Sequence, residues 1–284
     1  MVTNQDINNV VAKLMPYRNM VSVLYTSLRK PNPNFSLQTL QNQTGLVLTN
    51  NGSNIASFNN QLQAKQLLKN YASHPNTEKV FEWIICTWGG INKARFDVNT
   101  ISNYAKMYSN SNSSKVFLDK IYNNSMHCAN NVASWSKVAS FMYPNECYIY
   151  DSRVPFVLNI LLEKSEYPVP VPSNTTIKQF NTRPNKSPSR KQYEDYCRTI
   201  ELIHNQLYKG TVYANQKYVT EMLLFSLLSY QSFICTHINN NNVYPRRING
   251  AAPANNGVAP ANNGSAPANN GSAPTNNGAK KNTP

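Results

Sequence analysis

The chain has 284 residues, of which 40% are hydrophobic and only 14% charged; 27 basic residues face 13 acidic ones, a net charge of +14. That length is enough to bury a sizeable core, and the basic excess points to a polyanionic partner, most simply nucleic acid. The composition excludes a disulfide scaffold and a membrane-spanning chain: five cysteines lie far apart with no CxxC, and no apolar run reaches the roughly 18 residues of a span.

In chain order, VVAKLMPYRNMVSVLYTSL (10–28) places apolar residues at helical intervals, whereas 33–60 is rich in Asn, Gln and Ser and gives no assignment. FNNQLQAKQLLKNYASH (58–74) and EKVFEWIICTWGG (78–90) read as helices, the second stopped by Gly89 and Gly90. Another helix is predicted to start at Asp97 or Asn99, and a further one spans 113–124. NNVASWSKVASFMY (130–143) is a helix stopped by Pro144, followed by an extended, part-buried piece at Tyr148, Ile149 and Tyr150. Asp151 then stands at a helix N-cap position, with Pro155 in the first turn and an apolar stripe of Val154, Val157, Leu158 and Leu161. Residues 167–190 carry five prolines and read as a loop or extended arm. Helices at 192–208 and 215–233 complete a mainly all-α fold, with any strands expected in the N-terminal part. From Ala252 the heptapeptide APANNG-x repeats four times, which predicts a disordered tail over 249–284. The expected organisation is an N-terminal helical region (1–77), a helical domain (78–248) and this tail.

Candidate chemistry concentrates between residues 130 and 162. On the helix before Pro144, Val132, Trp135, Ala139 and Met142 share an apolar face, and Lys137 points away from it among small neighbours, Ala133 and Ser140. Taken alone, such a lysine is solvated and such an aspartate is a cap, worth about 1 kcal/mol. A cap, however, is also an oriented carboxylate. A fixed carboxylate stabilises positive charge developing on a sugar, and a neutral amine is a nucleophile for its C1′.

A lysine on one helix, a short hydrophobic return and an aspartate opening the next helix resemble the helix-hairpin-helix DNA glycosylase superfamily. WSKVASF is similar to the family's helix that bears the nucleophilic lysine, and IYDSRVPFVLN to the motif that bears its aspartate. The nearest likeness is to bacterial proteins with an 8-oxoguanine-glycosylase-like fold; FEWIICTWGGI (81–91) and VTEMLLFSLL (219–228) fit that group, and the likeness covers roughly 78–233. The family's Leu-Pro-Gly-Val-Gly type hairpin is replaced by NNVAS (130–134), the Lys137-to-Asp151 interval of 14 residues is short, and the iron–sulfur cysteines are missing. Asn130 or Asn131 is expected to take the left-handed backbone that glycine usually supplies.

The resemblance implies excision of an oxidised purine, or of a modified base of phage DNA, with Lys137 and Asp151 as catalytic residues. It leaves open whether Lys137 also supports Schiff-base strand cleavage. A flipped base needs aromatic faces and a few polar groups; Trp83, Trp88, Trp135, Tyr148, Tyr150, Glu221 and Phe225 are the candidates, each of which core packing also explains. Arg153, Lys178, Arg183, Lys186, Arg190 and Lys191 are candidate phosphate contacts. No cofactor or metal is expected. The partner is double-stranded DNA, the chain is expected to act as a monomer, and the location is cytoplasmic and nucleoid-associated. The competing function is a non-catalytic nucleic-acid-binding protein on the same scaffold. A deaminase is disfavoured because neither H-x-E nor P-C-x-x-C occurs.

Overall fold

The computed structural model describes residues 2–28, 37–44, 77–91, 98–123, 131–163, 169–171 and 187–239. Residues 1–248 form one compact unit. The expected helix at 58–74 and the repeat tail lie outside the described residues. Among the described residues the fold is all-α with no strand.

α1 (Asn4–Leu14) starts earlier than periodicity predicts because Thr3 and Asp6 form a capping box: the Asp6 N–H donates to Thr3 Oγ1 (3.2 Å) and the Thr3 N–H to Asp6 Oδ2 (2.7 Å). The expected single helix over 10–28 is broken. Pro16 cannot supply an interior N–H, and a 3₁₀ stretch, Met15–Met20, separates α1 from α2 (Val21–Leu28). α3 (Leu37–Thr44) lies in a stretch whose polar composition gives no signal. α4 (Thr77–Glu82) runs into a π-helical turn, Trp83–Trp88, which ends where expected, with Gly90 at φ +68°. α5 (Val98–Ser109), α6 (Ser114–Asn123), α7 (Val132–Met142) and α8 (Arg153–Leu162) follow. α9 (Arg190–Leu207) opens on a second capping box, Ser189 with Gln192. The helix expected over 215–233 is two pieces, α10 (Tyr218–Leu227) and α11 (Gln231–Ile234), followed by a π-helical turn Cys235–Asn239. Among the described residues no single helix is long and apolar enough to cross a membrane; α10 and the segment after it are bent by 76°.

α1 packs on α8 and α9, and α2 on α10, so residues 4–28 belong to the same core as the later helices rather than to a separate region. The Lys13 ammonium donates to the Leu161 carbonyl (3.0 Å) and pairs with Glu163 (2.8 Å), closing α8 where Glu163 adopts a left-handed backbone. Asn159 of α8 pairs both ways with the backbone of Val169, at 2.7 and 3.2 Å.

The tetrapeptide Cys147–Tyr150 has no regular secondary structure and is buried throughout. The Cys147 N–H donates to the Tyr143 carbonyl (2.9 Å), and four further backbone groups are satisfied by side chains. Tyr193 and Tyr196, one turn apart on α9, donate their hydroxyls to the carbonyls of Tyr148 and Ile149, both at 2.8 Å. Glu221 of α10 accepts from the Ile149 N–H (3.2 Å), and Ser136 of α7 from the Tyr150 N–H (3.0 Å). Burial pushes both tyrosine hydroxyls well above their ordinary pKa, so they remain protonated donors. Tyr196→Phe removes one donor and leaves the Ile149 carbonyl buried. The expected loss is about 1–3 kcal/mol, seen as a lower urea midpoint with an unchanged slope.

Candidate active site

The hydrogen bond from the Tyr150 N–H to Ser136 closes the loop between α7 and α8. Each bonded residue is followed at once by a candidate, Lys137 after Ser136 and Asp151 after Tyr150, and the positive charge of Lys137 acts on the Asp151 carboxyl. The 14-residue interval read from the sequence is thus spanned by one defined contact.

Lys137 is not on a solvated face, as its distance from the apolar stripe suggested; the residue is only 5% exposed. α7 is buried almost all round, because the π-helical turn Trp83–Trp88 packs against it in addition to the aromatic cluster on its other side. The ammonium donates to the Ala133 carbonyl one turn back, at 2.7 Å. Gly89 lies directly on the lysine stem. A Cβ built there would stand 2.7 Å from Lys137 Cδ and 2.5 and 2.8 Å from the carbonyls of Ile85 and Ile84, so no side chain fits without displacing the lysine or the turn.

Asp151 supplies the capping bond of α8. Its Oδ1 accepts from the Arg153 N–H (3.0 Å), while Ser152, in helical conformation, makes no side-chain cap bond. The carboxylate also takes the Arg153 guanidinium, Nε to Oδ1 at 2.9 Å and Nη2 to Oδ2 at 3.3 Å. Burial alone would raise this carboxyl; the charge and hydrogen bonds of Arg153, together with Lys137, outweigh it and hold it below the ordinary value. The guanidinium lies 3.6 Å above the centre of the Phe225 ring, a cation–π stack that fixes Arg153 from the other side. Phe225 therefore presents this face to Arg153 rather than to a base, and Arg153, expected at a phosphate, is committed within the chain.

The other aromatic candidates are core residues. Trp135 and Tyr150 pack with Tyr193 and Tyr196 (Trp135–Tyr193 and Tyr150–Tyr196 centroids each 4.7 Å apart), and Trp88 packs edge-on to Phe141 at 4.9 Å. Tyr148 is equally buried, and Glu221 anchors backbone instead of lining a pocket. Trp83 is buried, but it contributes to the wall of an open cleft of about 540 Å³ with Gln43, Lys79, Glu82, Thr87 and Gly90. Neither Lys137 nor Asp151 lines that cleft, although Gly89, on the lysine, adjoins its edge at Gly90.

Of the two asparagines expected to share a left-handed position, Asn131 precedes α7 with φ −93° and does not take it; its carbonyl receives the Ser134 and Trp135 N–H groups. Asn130, Lys178, Arg183 and Lys186 lie outside the described residues. Arg190 pairs with Asp119 and with Glu194 (2.9 Å), and Lys191, 73% exposed, lies 3.2 Å from Asp195. Such exposed pairs are weak enough for a phosphate to compete.

Sequence reasoning missed Ser136, Tyr193, Tyr196 and Gly89, the groups that set the geometry. Gly89 was visible only as a helix stop, and the tyrosines only as apolar positions of an amphipathic helix. Ser152 was also missed: its hydroxyl is buried beside Asp151 with no hydrogen-bond partner among the described residues. The buried Cys147 and Cys197 thiols are pushed up in pKa by burial, Cys197 to about 12, which leaves them protonated and unreactive. Comparison of the chain with protein-family models, with curated proteins and with solved structures gives no match.

Because the folded pKa of Asp151 lies below its unfolded value of about 3.9, its ionised form stabilises the fold above that pH, and this contribution is lost as pH falls through the folded value. Arg153→Met removes the leading opposing charge while burial remains. The Asp151 carboxyl of this variant is expected to titrate above that of the parent, and acid unfolding to begin at higher pH. Carbon-13 detected titration of the carboxyl and urea unfolding between pH 3 and 7 check both.

Proposed function

We propose that the chain is a DNA glycosylase of the helix-hairpin-helix type that excises a damaged or modified base, an oxidised purine or a modified base of phage DNA. The observation that carries this reading is a buried ammonium, Lys137, whose charge acts on an oriented carboxylate, Asp151, held below its ordinary pKa where α8 begins. A buried ammonium is costly, which makes Lys137 a poor choice for stability alone. The basic excess of the chain supports a polyanionic partner.

In this reading the bond from sugar C1′ to the base nitrogen breaks and its electron pair leaves with the base. Asp151 stabilises the positive charge left on the sugar. Lys137, as the neutral amine, gives its lone pair to C1′; loss of its proton with opening of the sugar ring yields a Schiff base, from which β-elimination cleaves the strand. If water attacks in place of the lysine, base loss proceeds without strand cleavage. Either course requires Lys137 to leave the Ala133 carbonyl, so DNA entry has to open the resting arrangement.

One observation favours the second reading, a nucleic-acid-binding protein without catalysis. Lys137 and Asp151 are both satisfied inside the chain, and most candidate base-stacking rings are core residues. The two readings separate in an assay of modified duplexes followed by heating in alkali, which reveals abasic sites whichever base is lost. Base loss is expected with the parent and to fall about 100-fold or more in Asp151→Asn, which keeps a good cap. Lys137→Met, which retains the stem length, should lose strand cleavage. Binding without base loss on every duplex selects the second reading.

A further inference from the structure

We propose that the hairpin of α5 and α6 carries a phosphodiester-binding cleft at Lys106 and Lys120, separate from the Lys137–Asp151 site. The proposal rests on the reading that the chain binds nucleic acid, and its test is independent of base excision.

Lys106, Met107, Asn110, Lys120 and Asn123 line an open cleft of about 360 Å³. Asn110 builds it. Its backbone N–H (3.3 Å) and its side-chain amide (2.9 Å) both donate to the Lys106 carbonyl, closing α5, and its own carbonyl accepts from the Lys120 ammonium. One of the three Lys120 donors is thereby used and the others remain. No ion pair engages Lys106 or Lys120 among the described residues. The neighbouring carboxylates are occupied: Asp119 pairs with Arg190, and Glu146 accepts from the Ser114 hydroxyl. Two positive charges thus border a shallow groove with the Asn123 amide and the Met107 side chain. The groove is too open to enclose a small metabolite, but its chemistry suits a backbone phosphate. Ammonium groups take the non-bridging oxygens, and apolar stems lie against the sugar.

Both lysines stand in the last turn of their helices, Lys106 of α5 and Lys120 of α6, where a cation is stabilising. The Lys106 ammonium makes no hydrogen bond or ion pair among the described residues, so it is available to an anion in the cleft. The cleft is also tied to the candidate site. Tyr122, next to Asn123, packs edge-on to Trp135 (5.6 Å between centroids), two residues from Lys137 on α7. A duplex gripped at the hairpin is therefore held in a fixed relation to the lysine helix.

The test is the affinity of the full chain for an unmodified duplex at several sodium chloride concentrations. It compares the parent, the double variant Lys106→Gln with Lys120→Gln, and a control, Lys209→Gln with Arg198→Gln, that removes the same charge elsewhere. The cleft variant should bind more weakly, with a log–log salt slope shallower than the control's by up to about two, one counterion for each phosphate that is no longer neutralised. Should the double variant fold poorly, Lys106→Gln alone should lower the slope by about one. Equal slopes for cleft variant and control overturn the proposal, as does a parent that shows no salt-dependent duplex binding. A shallower slope in a protein that excises no base upholds the cleft and removes the glycosylase reading.

Discussion

The structure depends on how the backbone of Cys147–Tyr150 is satisfied. A buried non-helical segment needs partners for its backbone groups, and a buried orphan amide or carbonyl costs about 1–3 kcal/mol. Among the described residues there is no strand to supply them. Tyr193, Tyr196, Glu221 and Ser136 take that role, and they come from α9, α10 and α7. Three helices are thereby tied to one tetrapeptide, and the residue that follows it, Asp151, has little freedom. The tetrapeptide sets where α8 begins and how close its first carboxylate lies to the lysine helix.

The electrostatics follow from that placement. A buried carboxylate remains ionised only where opposing charge outweighs desolvation. Arg153 provides this with two guanidinium contacts and a backbone N–H, and Phe225 holds the guanidinium in turn. The Lys137 side chain is held by the absence of a side chain at Gly89 and by the Ala133 carbonyl. A π-helical turn forms the wall against the lysine; such turns are uncommon and recur at functional sites. A buried lysine beside such a turn is a local inconsistency that packing alone does not require.

Much of the scaffold was legible in the sequence. Helical periodicity placed α5, α6, α7, α8 and α9 within a few residues, Gly89–Gly90 marked a true stop, and an extended piece was expected before Asp151. The breaks were harder. Pro16 divides α1 from α2, and α10 ends before Tyr230 although its apolar run continues. The first follows from the missing N–H of Pro16, which hydrophobic periodicity alone passes over. The site was legible as two residues and not as an environment. Lys137 looked solvated because one apolar stripe was visible, whereas α7 is covered on more than one side. Glu221, Tyr193 and Tyr196 bond to backbone groups dozens of residues away, and no spacing rule records such partners.

The most direct measurement is peptide mapping of the full chain after borohydride reduction on a duplex that carries an abasic site. A Schiff base trapped in this way leaves a stable deoxyribose-derived mass on the nucleophilic amine. The expected result is that mass on the peptide containing Lys137 and on no other lysine, with its yield reduced in Asp151→Asn. Modification at a different amine, or equal yield on several exposed lysines, contradicts the assignment of Lys137 and Asp151 as one active site.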